Sequence, residues 1–326
     1  MHSIVLIMFL EGCKLLIGEN WRNLPMSVVG ALLVGLAWAM RPRLGQVPTD
    51  RIIVRSEFPA LYAMADQITE ALGTKKIDVI YVDSDFSAAF ATVGLFRKNV
   101  LFLGIPLFSV LTHEERVALM GHEIGHGANG DSARGIVVGG AVSSLAEWRN
   151  IFPLDGAMTL IILPIALFFV QLPRLVLYLL VHLLASDSQR AEYLADHMGA
   201  RVGGTAGMLN LLHKLHIIEA LAVSADRYFE RGCKHGVLDT LRKRVETIPP
   251  REIERIKRVE KLLDSRLDST HPPTRYRIEL LEARPVNEPE VVLSPEHIAD
   301  IEAELALIAP YVEEWMLDSY RLRMGL

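Results

Sequence analysis

The fold is decided by residues 112–130, which read THEERVALMGHEIGHGANG. Thr112 is followed three residues later by Glu115, the pattern of a capping box, and this pair predicts that a helix begins here. Gly127 is a typical helix terminator, so the helix is expected to end close to it. Residues 117–120 are apolar, as a helix packed inside a domain requires. The stretch therefore predicts one buried helix with a defined start.

Within this helix lies the sequence HEIGH, residues 122–126. Histidines four residues apart face the same side of a helix, so both imidazoles can reach one ion. Glu123 follows the first histidine and can reach a water in an open coordination position rather than the metal. Three protein ligands and one water are the arrangement of catalytic zinc. We therefore predict one zinc ion per chain, with His122 and His126 as ligands and Glu123 as general base. The alternative is a pair of surface histidines on an amphipathic helix.

A third ligand has to come from another part of the chain, and the best candidate is the segment RAEYLAD, residues 190–196. Glu192 and Asp196 are four residues apart, hence on one face of a helix. Glu192 could bind the zinc while Asp196 accepts a hydrogen bond from a ligand imidazole and fixes its orientation. An ordinary solvated acidic face is the alternative. Asp131, five residues after His126, could also support the ligands, or it could simply end the helix.

A further motif reads STHPP at residues 269–273 and is followed by Arg277. A histidine before two prolines predicts a rigid exposed turn. If this segment lies near the zinc, His271 or Arg277 could stabilise the oxyanion that forms when hydroxide attacks an amide.

These motifs, in this order, resemble those of the membrane zinc peptidases that include HtpX and the eukaryotic prenyl-protein endopeptidases. The resemblance rests on AFAT at residues 89–92, the HEIGH motif, the acidic pair at 192 and 196, and the THP segment with its later Arg-Ile, and it covers roughly residues 50–285. It implies a zincin-like metalloprotease of the gluzincin type, with His122, His126 and Glu192 as ligands and Glu123 as base. In one departure, Ala88 stands where the family usually carries Asn, which puts in doubt any active-site role of that position.

The remaining pattern predicts an α+β, mostly helical fold with a small β-sheet. Residues 58–72 have the pattern of an amphipathic helix. Strands are predicted over residues 77–82, 88–93 and 99–103. We interpret the last of these as an edge strand that binds an extended substrate. A final helix is expected from Ser294 to about residue 321.

Three apolar stretches predict contact with a lipid bilayer, and they cover residues 4–10, 26–40 and 157–185. The first is not followed by a signal-peptide cleavage pattern, so we expect it to be retained. The second has only about 15 residues, fewer than the 20 or so that a crossing helix needs.

The third apolar stretch lies between two predicted ligands, His126 and Glu192, which must end on the same side of a membrane. The chain between them therefore crosses a bilayer an even number of times or not at all. It could form a hairpin with residues 135–148, fold back at Pro173, or form a buried pair of helices in a soluble domain.

Domain boundaries follow from these changes in composition. We predict an N-terminal anchoring segment (1–48), the first part of the catalytic domain (49–134), an apolar helical hairpin (135–185), the second part of the catalytic domain (186–285) and a C-terminal helical segment (286–326). Arginines are more frequent after residues 26–40 than before them, which favours a cytoplasmic catalytic domain, at the plasma membrane if the source is bacterial.

Composition excludes several classes of protein. The net charge is −5 without a basic run, so nucleic acid is not an expected partner. Two distant cysteines, Cys13 and Cys233, form neither a disulfide framework nor a thiolate metal site. The expected partners are protein or peptide substrates and the lipid bilayer.

We predict an endopeptidase; the alternatives are a zinc-binding membrane scaffold without turnover, a membrane protein with incidental histidines, and an exopeptidase or a narrow processing enzyme. Glu123 argues against the scaffold, because a structural zinc site needs no carboxylate there.

Overall fold

The structure is a computed structural model that describes residues 2–17, 23–39, 49–94, 96–128, 175, 189–249, 251–252, 254–255, 258 and 272–325. The chain forms two compact units. One comprises Met1–Gly45 with Ala133–Leu184, and the other comprises Gln46–Ser132 with Ala185–Leu326. The predicted hairpin over residues 135–185 lies outside the described residues, apart from residue 175.

In the first unit, helices α1 (His2–Ile17) and α2 (Leu24–Ala39) pack against each other. They approach closely at Gly12 and Gly30, since a Cβ on Gly12 would lie 3.0 Å from the carbonyl oxygen of Gly30. Helix α1 extends well beyond the apolar stretch at residues 4–10. Apolar side chains that are more than half exposed point away from the pair, and they include Leu6, Ile7, Leu10, Leu32 and Trp38.

The second unit contains a four-stranded sheet of β1 (Ile52–Ile53), β2 (Val79–Asp83), β3 (Ala88–Val93) and β4 (Lys98–Gly104). The strand order is β1-β2-β4-β3, with β2 and β4 parallel and the other pairs antiparallel. The three predicted strands are therefore confirmed. The interpretation of residues 99–103 as an edge strand is wrong, because β4 pairs with a strand on each side. The turn at Gly94 (φ 75°) folds β3 back onto β4, which leaves β3 at the edge.

Helix α3 (Pro59–Ala71) confirms the predicted amphipathic helix and joins the core through buried side chains such as Leu61, Met64 and Ile68. A short helix, α4 (Ile105–Val110), follows β4 directly, and α5 (His113–Ala128) carries the HEIGH motif. The predicted capping box is present at the start of α5. The Thr112 amide donates to Glu115 Oε2 at 2.8 Å, and the Glu115 amide lies 3.4 Å from Thr112 Oγ1.

The described residues from 189 onward contain five further long helices, α6 (Gln189–Leu215), α7 (Ile218–Glu230), α8 (Val237–Glu246), α9 (Thr274–Ala283) and α10 (Pro295–Met324). The final helix begins after Ser294 as predicted, and Ser294 Oγ accepts a hydrogen bond from the His297 amide at 3.1 Å. Across the described part of the chain, no individual helix combines the length and apolar character of a membrane span. Only α6 and α7 together, bent by 55°, meet those criteria.

Helix α10 holds the starts of two other helices through buried glutamates. Glu304 accepts hydrogen bonds from the amides of Ala60 (2.6 Å) and Leu61 (2.8 Å) at the start of α3. Glu313 accepts from the amide of Leu238 at 3.1 Å, in the first turn of α8. A carboxylate at a helix N-terminus satisfies amides that have no partner within the helix and interacts favourably with the helix dipole. Helix α10 therefore fixes both helices in the fold.

Replacing Glu304 with glutamine is expected to lower the free energy of unfolding by about 1.5–3 kcal/mol, the range for hydrogen bonds to a charged group. A side-chain amide can accept from one backbone N–H but turns its own NH₂ group towards the other. Urea unfolding of the full-length protein measures the change. Glu314→Gln, at an exposed position of the same helix, is the matched control. Equal loss of stability in the two variants would contradict the capping role of Glu304.

Candidate metal centre

Helices α5 and α6 approach each other at glycines. A Cβ on Gly121 would lie 2.2 Å from Val202 Cγ2, and a Cβ on Gly199 or Gly203 would lie 2.7 Å from a backbone atom of Ala118. Real Cβ atoms do not tolerate such distances, so the two backbones lie as close as they do only because these positions lack side chains. This close packing brings the first turns of α6 beside the HEIGH motif on α5.

The structure brings the three predicted ligands together. The Nε2 atoms of His122 and His126 are 3.3 Å apart. Glu192 places Oε1 3.5 Å from His126 Nε2 and Oε2 3.7 Å from His122 Nε2. One donor atom from each residue lies within 4.8 Å of the others. His122 and Glu192 are buried, whereas the side chain of His126 is 24% exposed.

These separations fit a tetrahedral zinc ion. Two ligand atoms that each lie about 2.0–2.1 Å from such an ion are about 3.3–3.4 Å apart, and the two imidazole nitrogens have that spacing. Two imidazoles and one carboxylate are also the ligand set of several catalytic zinc sites, which leave one position for water or substrate. The three side chains can therefore hold a divalent ion without rearrangement of the backbone.

Asp196 lies directly behind His122, as the sequence predicts for a supporting residue. Its Oδ1 atom is 3.0 Å from His122 Nδ1. Arg277 donates to both oxygens of the same carboxylate, from Nε at 2.7 Å and from Nη2 at 2.6 Å. Burial raises the pKa of Asp196, but the hydrogen bonds from Arg277 and the nearby ring of His122 outweigh it and hold this pKa below its ordinary value. Asp196 is therefore a buried carboxylate that stays ionised.

Arg277 is buried beside the acidic residues of the centre. Its Nη2 atom is 3.4 Å from Glu192 Oε2. Burial lowers the pKa of the guanidinium, but its hydrogen bonds to Asp196 outweigh that effect, and the pKa is raised. The charges of Glu192 and Glu123 act in the same direction, so the half-buried Glu123 belongs to the same group of charges. This ion pair is not predicted from the sequence, although two neighbouring buried carboxylates on α6 favour a cation beside them.

Asp131 and His271 lie outside the residues that the structure describes.

The edge strand β3 lies next to the last turn of α5. A Cβ on Gly127 would lie 2.4 Å from Phe90 Cε1, so the ring of Phe90 packs directly on the helix backbone one residue after His126. The edge of the sheet is therefore close to the cluster of ligand side chains.

The sequence model of Peptidase family M48 matches residues 56–285, which is more than half of the chain. The chain belongs to peptidase family M48. The matched range includes both helices that carry the ligands, and the family confirms that this protein is a peptidase. The matched range ends before α10, so the helix that caps α3 and α8 lies beyond the part that the family model covers.

Relatives of this M48 peptidase include proteins named protease HtpX homolog. The one from Persephonella marina is 28% identical over 244 residues, which cover 69% of this chain and 74% of the relative. The one from Methanocaldococcus jannaschii is 28% identical over 260 residues, 71% and 77% of the two chains. The one from Halobacterium salinarum is 26% identical over 282 residues, 81% and 91% of the two chains. The predicted resemblance to HtpX-like peptidases is thus confirmed. No solved structure matches this M48 peptidase.

Proposed function

We propose that the chain is a membrane-anchored, zinc-dependent endopeptidase that hydrolyses peptide bonds in protein substrates. The observation that carries this proposal is the convergence of His122, His126 and Glu192, with their donor atoms within 4.8 Å of one another. The spacing of the two imidazole nitrogens supports zinc in particular, as does a ligand set without sulfur.

The concentration of carboxylates also supports a divalent ion. The carboxylates of Asp196, Glu192 and Glu123 all act on the guanidinium of Arg277, and Asp196 and Glu192 are buried. Buried charges are tolerated when they are paired or bind a metal.

Zinc, when bound in such a site, polarises the scissile carbonyl and makes water a stronger nucleophile at neutral pH. His122 and His126 hold it from one face of α5, and Glu192 holds it from α6. Glu123 is one residue beyond the first ligand, and we assign it the proton transfer: it takes the proton from the attacking water and passes it to the leaving amine. For His271 we keep the stabilisation of the oxyanion as a proposal, and for Asp131 the support of the ligands.

We assign the binding of an extended substrate to β3. Within the described sheet this strand pairs with β4 on one side, so its other side can accept a peptide by strand addition. Phe90 packs on Gly127, which places β3 near the ligands. This assignment replaces residues 99–103, which lie in the middle of the sheet.

We further propose that the first unit contacts a lipid bilayer and that the catalytic part lies on its cytoplasmic side. The outward-facing apolar side chains of α1 and α2 support the first part of this proposal. The arginines that follow α2 in the sequence support the second part.

The proposed activity is tested with the purified full-length protein and a casein-type substrate. We expect hydrolysis that a zinc chelator abolishes and that added zinc restores. Hydrolysis that survives complete removal of metal would contradict the zinc mechanism. Tight binding of zinc without any hydrolysis would instead support the alternative of a scaffold without turnover.

A further inference from the structure

We propose that Arg277 is a positioning residue that sets the metal affinity of the centre, acting through Asp196 and Glu192 rather than by touching the substrate. This inference rests on the proposed zinc site and replaces the role in oxyanion stabilisation that the sequence suggests for Arg277. It is carried by three groups of contacts, and the side chains of Arg277, Glu192 and Asp196 are each no more than 7% exposed.

The first contact fixes Asp196. A guanidinium that donates two parallel hydrogen bonds to one carboxylate holds it in a defined plane, and Arg277 does so at 2.7 Å and 2.6 Å. Oδ1 of the same carboxylate lies 3.0 Å from His122 Nδ1. Because an ionised carboxylate only accepts hydrogen bonds, we assign the ring proton of His122 to Nδ1, the ring nitrogen that faces Asp196. This leaves the lone pair of Nε2 directed at the other ligands.

The second contact holds the third ligand. Nη2 of Arg277 is 3.4 Å from Glu192 Oε2, so one guanidinium serves two carboxylates that are one helical turn apart on α6. Without it, Glu192 and Asp196 would be two buried like charges in close proximity, and their repulsion would turn at least one of them out of place. Arg277 therefore keeps Glu192 in position for the ion.

The third group of contacts explains why Arg277 reaches this place. Pro273 is the N-cap of α9, and its carbonyl accepts from the amides of Tyr276 (2.9 Å) and Arg277 (3.4 Å). Proline fixes φ and favours the start of a helix. Pro272 is buried, which fixes the entry of the chain into α9. The two prolines of the THPP segment thus fix the start of α9, and Arg277 in its first turn lies beside the metal centre.

The test compares Arg277→Met and Arg277→Lys with wild type in the full-length protein. We expect Arg277→Met to weaken zinc binding about 10- to 100-fold, the usual effect of removing an outer partner of a metal ligand. Arg277→Lys keeps the charge but not the bidentate geometry and should recover part of the loss.

The matched control is Arg201→Met, since Arg201 is also a bidentate partner of a carboxylate, Glu290, but on the exposed surface of α6. Its zinc affinity should equal that of wild type. Affinity is measured by competition with a chelator of known strength, on protein shown to be folded by circular dichroism.

A double-mutant cycle separates positioning from a general structural effect. If Arg277 acts through Asp196, the loss of affinity in the double variant Arg277→Met with Asp196→Asn should fall well below the sum of the two single losses. The absorption of bound cobalt, which reports the geometry of the ligands, should also change in Arg277→Met and not in Arg201→Met.

Different outcomes contradict different proposals. Wild-type zinc affinity in folded Arg277→Met, with a large fall in kcat, would overturn the positioning role and favour the oxyanion role. Fully additive losses in the double variant would also overturn it. If Arg277→Met does not fold, the same comparison is made with Arg277→Lys, and unchanged zinc affinity there would contradict the inference. Wild-type protein that takes up no zinc would instead overturn the proposed function itself.

Discussion

Glu123→Gln is expected to lower kcat for peptide hydrolysis by about 10²- to 10⁴-fold, the usual contribution of a general acid–base residue. Glutamine has nearly the same volume and still forms hydrogen bonds, but it cannot take a proton from water at neutral pH. The ligands His122, His126 and Glu192 are unchanged, so the variant should bind zinc as wild type does. A steady-state assay with a casein-type substrate, together with metal analysis of the same sample, measures both properties.

The matched control for this change is Glu114→Gln. Glu114 is on the same helix, in its first turn, and is exposed. The control should keep wild-type activity, because the change is chemically identical and lies about two helical turns before the first ligand, His122. Activity of Glu123→Gln close to that of wild type would remove the assignment of the base. Loss of zinc together with activity would show that Glu123 supports the ligands instead.

The parts of the structure that sequence predicted are those with local signals. The start of α5 follows from Thr112 and Glu115, which contact each other within one turn of helix. The two histidines follow from a spacing of four residues on the same helix. The candidate third ligand, Glu192, is recognisable because Asp196 follows it by four residues. The two carboxylates therefore share one face of a helix, where one can bind a metal and the other can support a ligand.

The parts that sequence did not predict depend on contacts between distant segments. The edge position predicted for β4 is wrong because β2 pairs with it in parallel, with Val79 opposite Val100, and nothing local in the sequence specifies that pairing. The bond between Arg277 and Asp196 joins residues 81 positions apart, and nothing in either segment alone specifies the partner. The caps that Glu304 and Glu313 of α10 form on α3 and α8 could not be predicted for the same reason.

One non-local feature did leave a signal in the sequence. Gly121 and Gly125 on α5, and Gly199 and Gly203 on α6, recur at a spacing of four residues, which places each pair on one side of its helix. Such a spacing permits two helices to approach closely. Considered together, the two pairs could have predicted that α5 and α6 are neighbours, and hence that Glu192 lies near the histidines.

Glu192→Ala is expected to weaken zinc binding by more than about 100-fold, since even changes to the partners of metal ligands typically cost 10- to 100-fold. Alanine removes both oxygens that lie 3.5 Å and 3.7 Å from the histidine nitrogens, and only two protein ligands remain. Hydrolysis should fall with the metal. Glu192→Gln, which keeps the volume but not the charge, separates loss of the ligand from loss of packing, and it should also bind zinc much more weakly than wild type.

The proposed mechanism requires that α5 and α6 bind one ion together. The most direct test is the zinc content per chain of purified full-length wild type and Glu192→Ala, after dialysis against a moderate chelator. Glu290→Ala, which removes the surface carboxylate that pairs with Arg201 of α6, serves as the control. We predict one zinc per chain in wild type and in the control, and almost none in Glu192→Ala. Equal zinc in all three proteins, or none in wild type, would contradict the account.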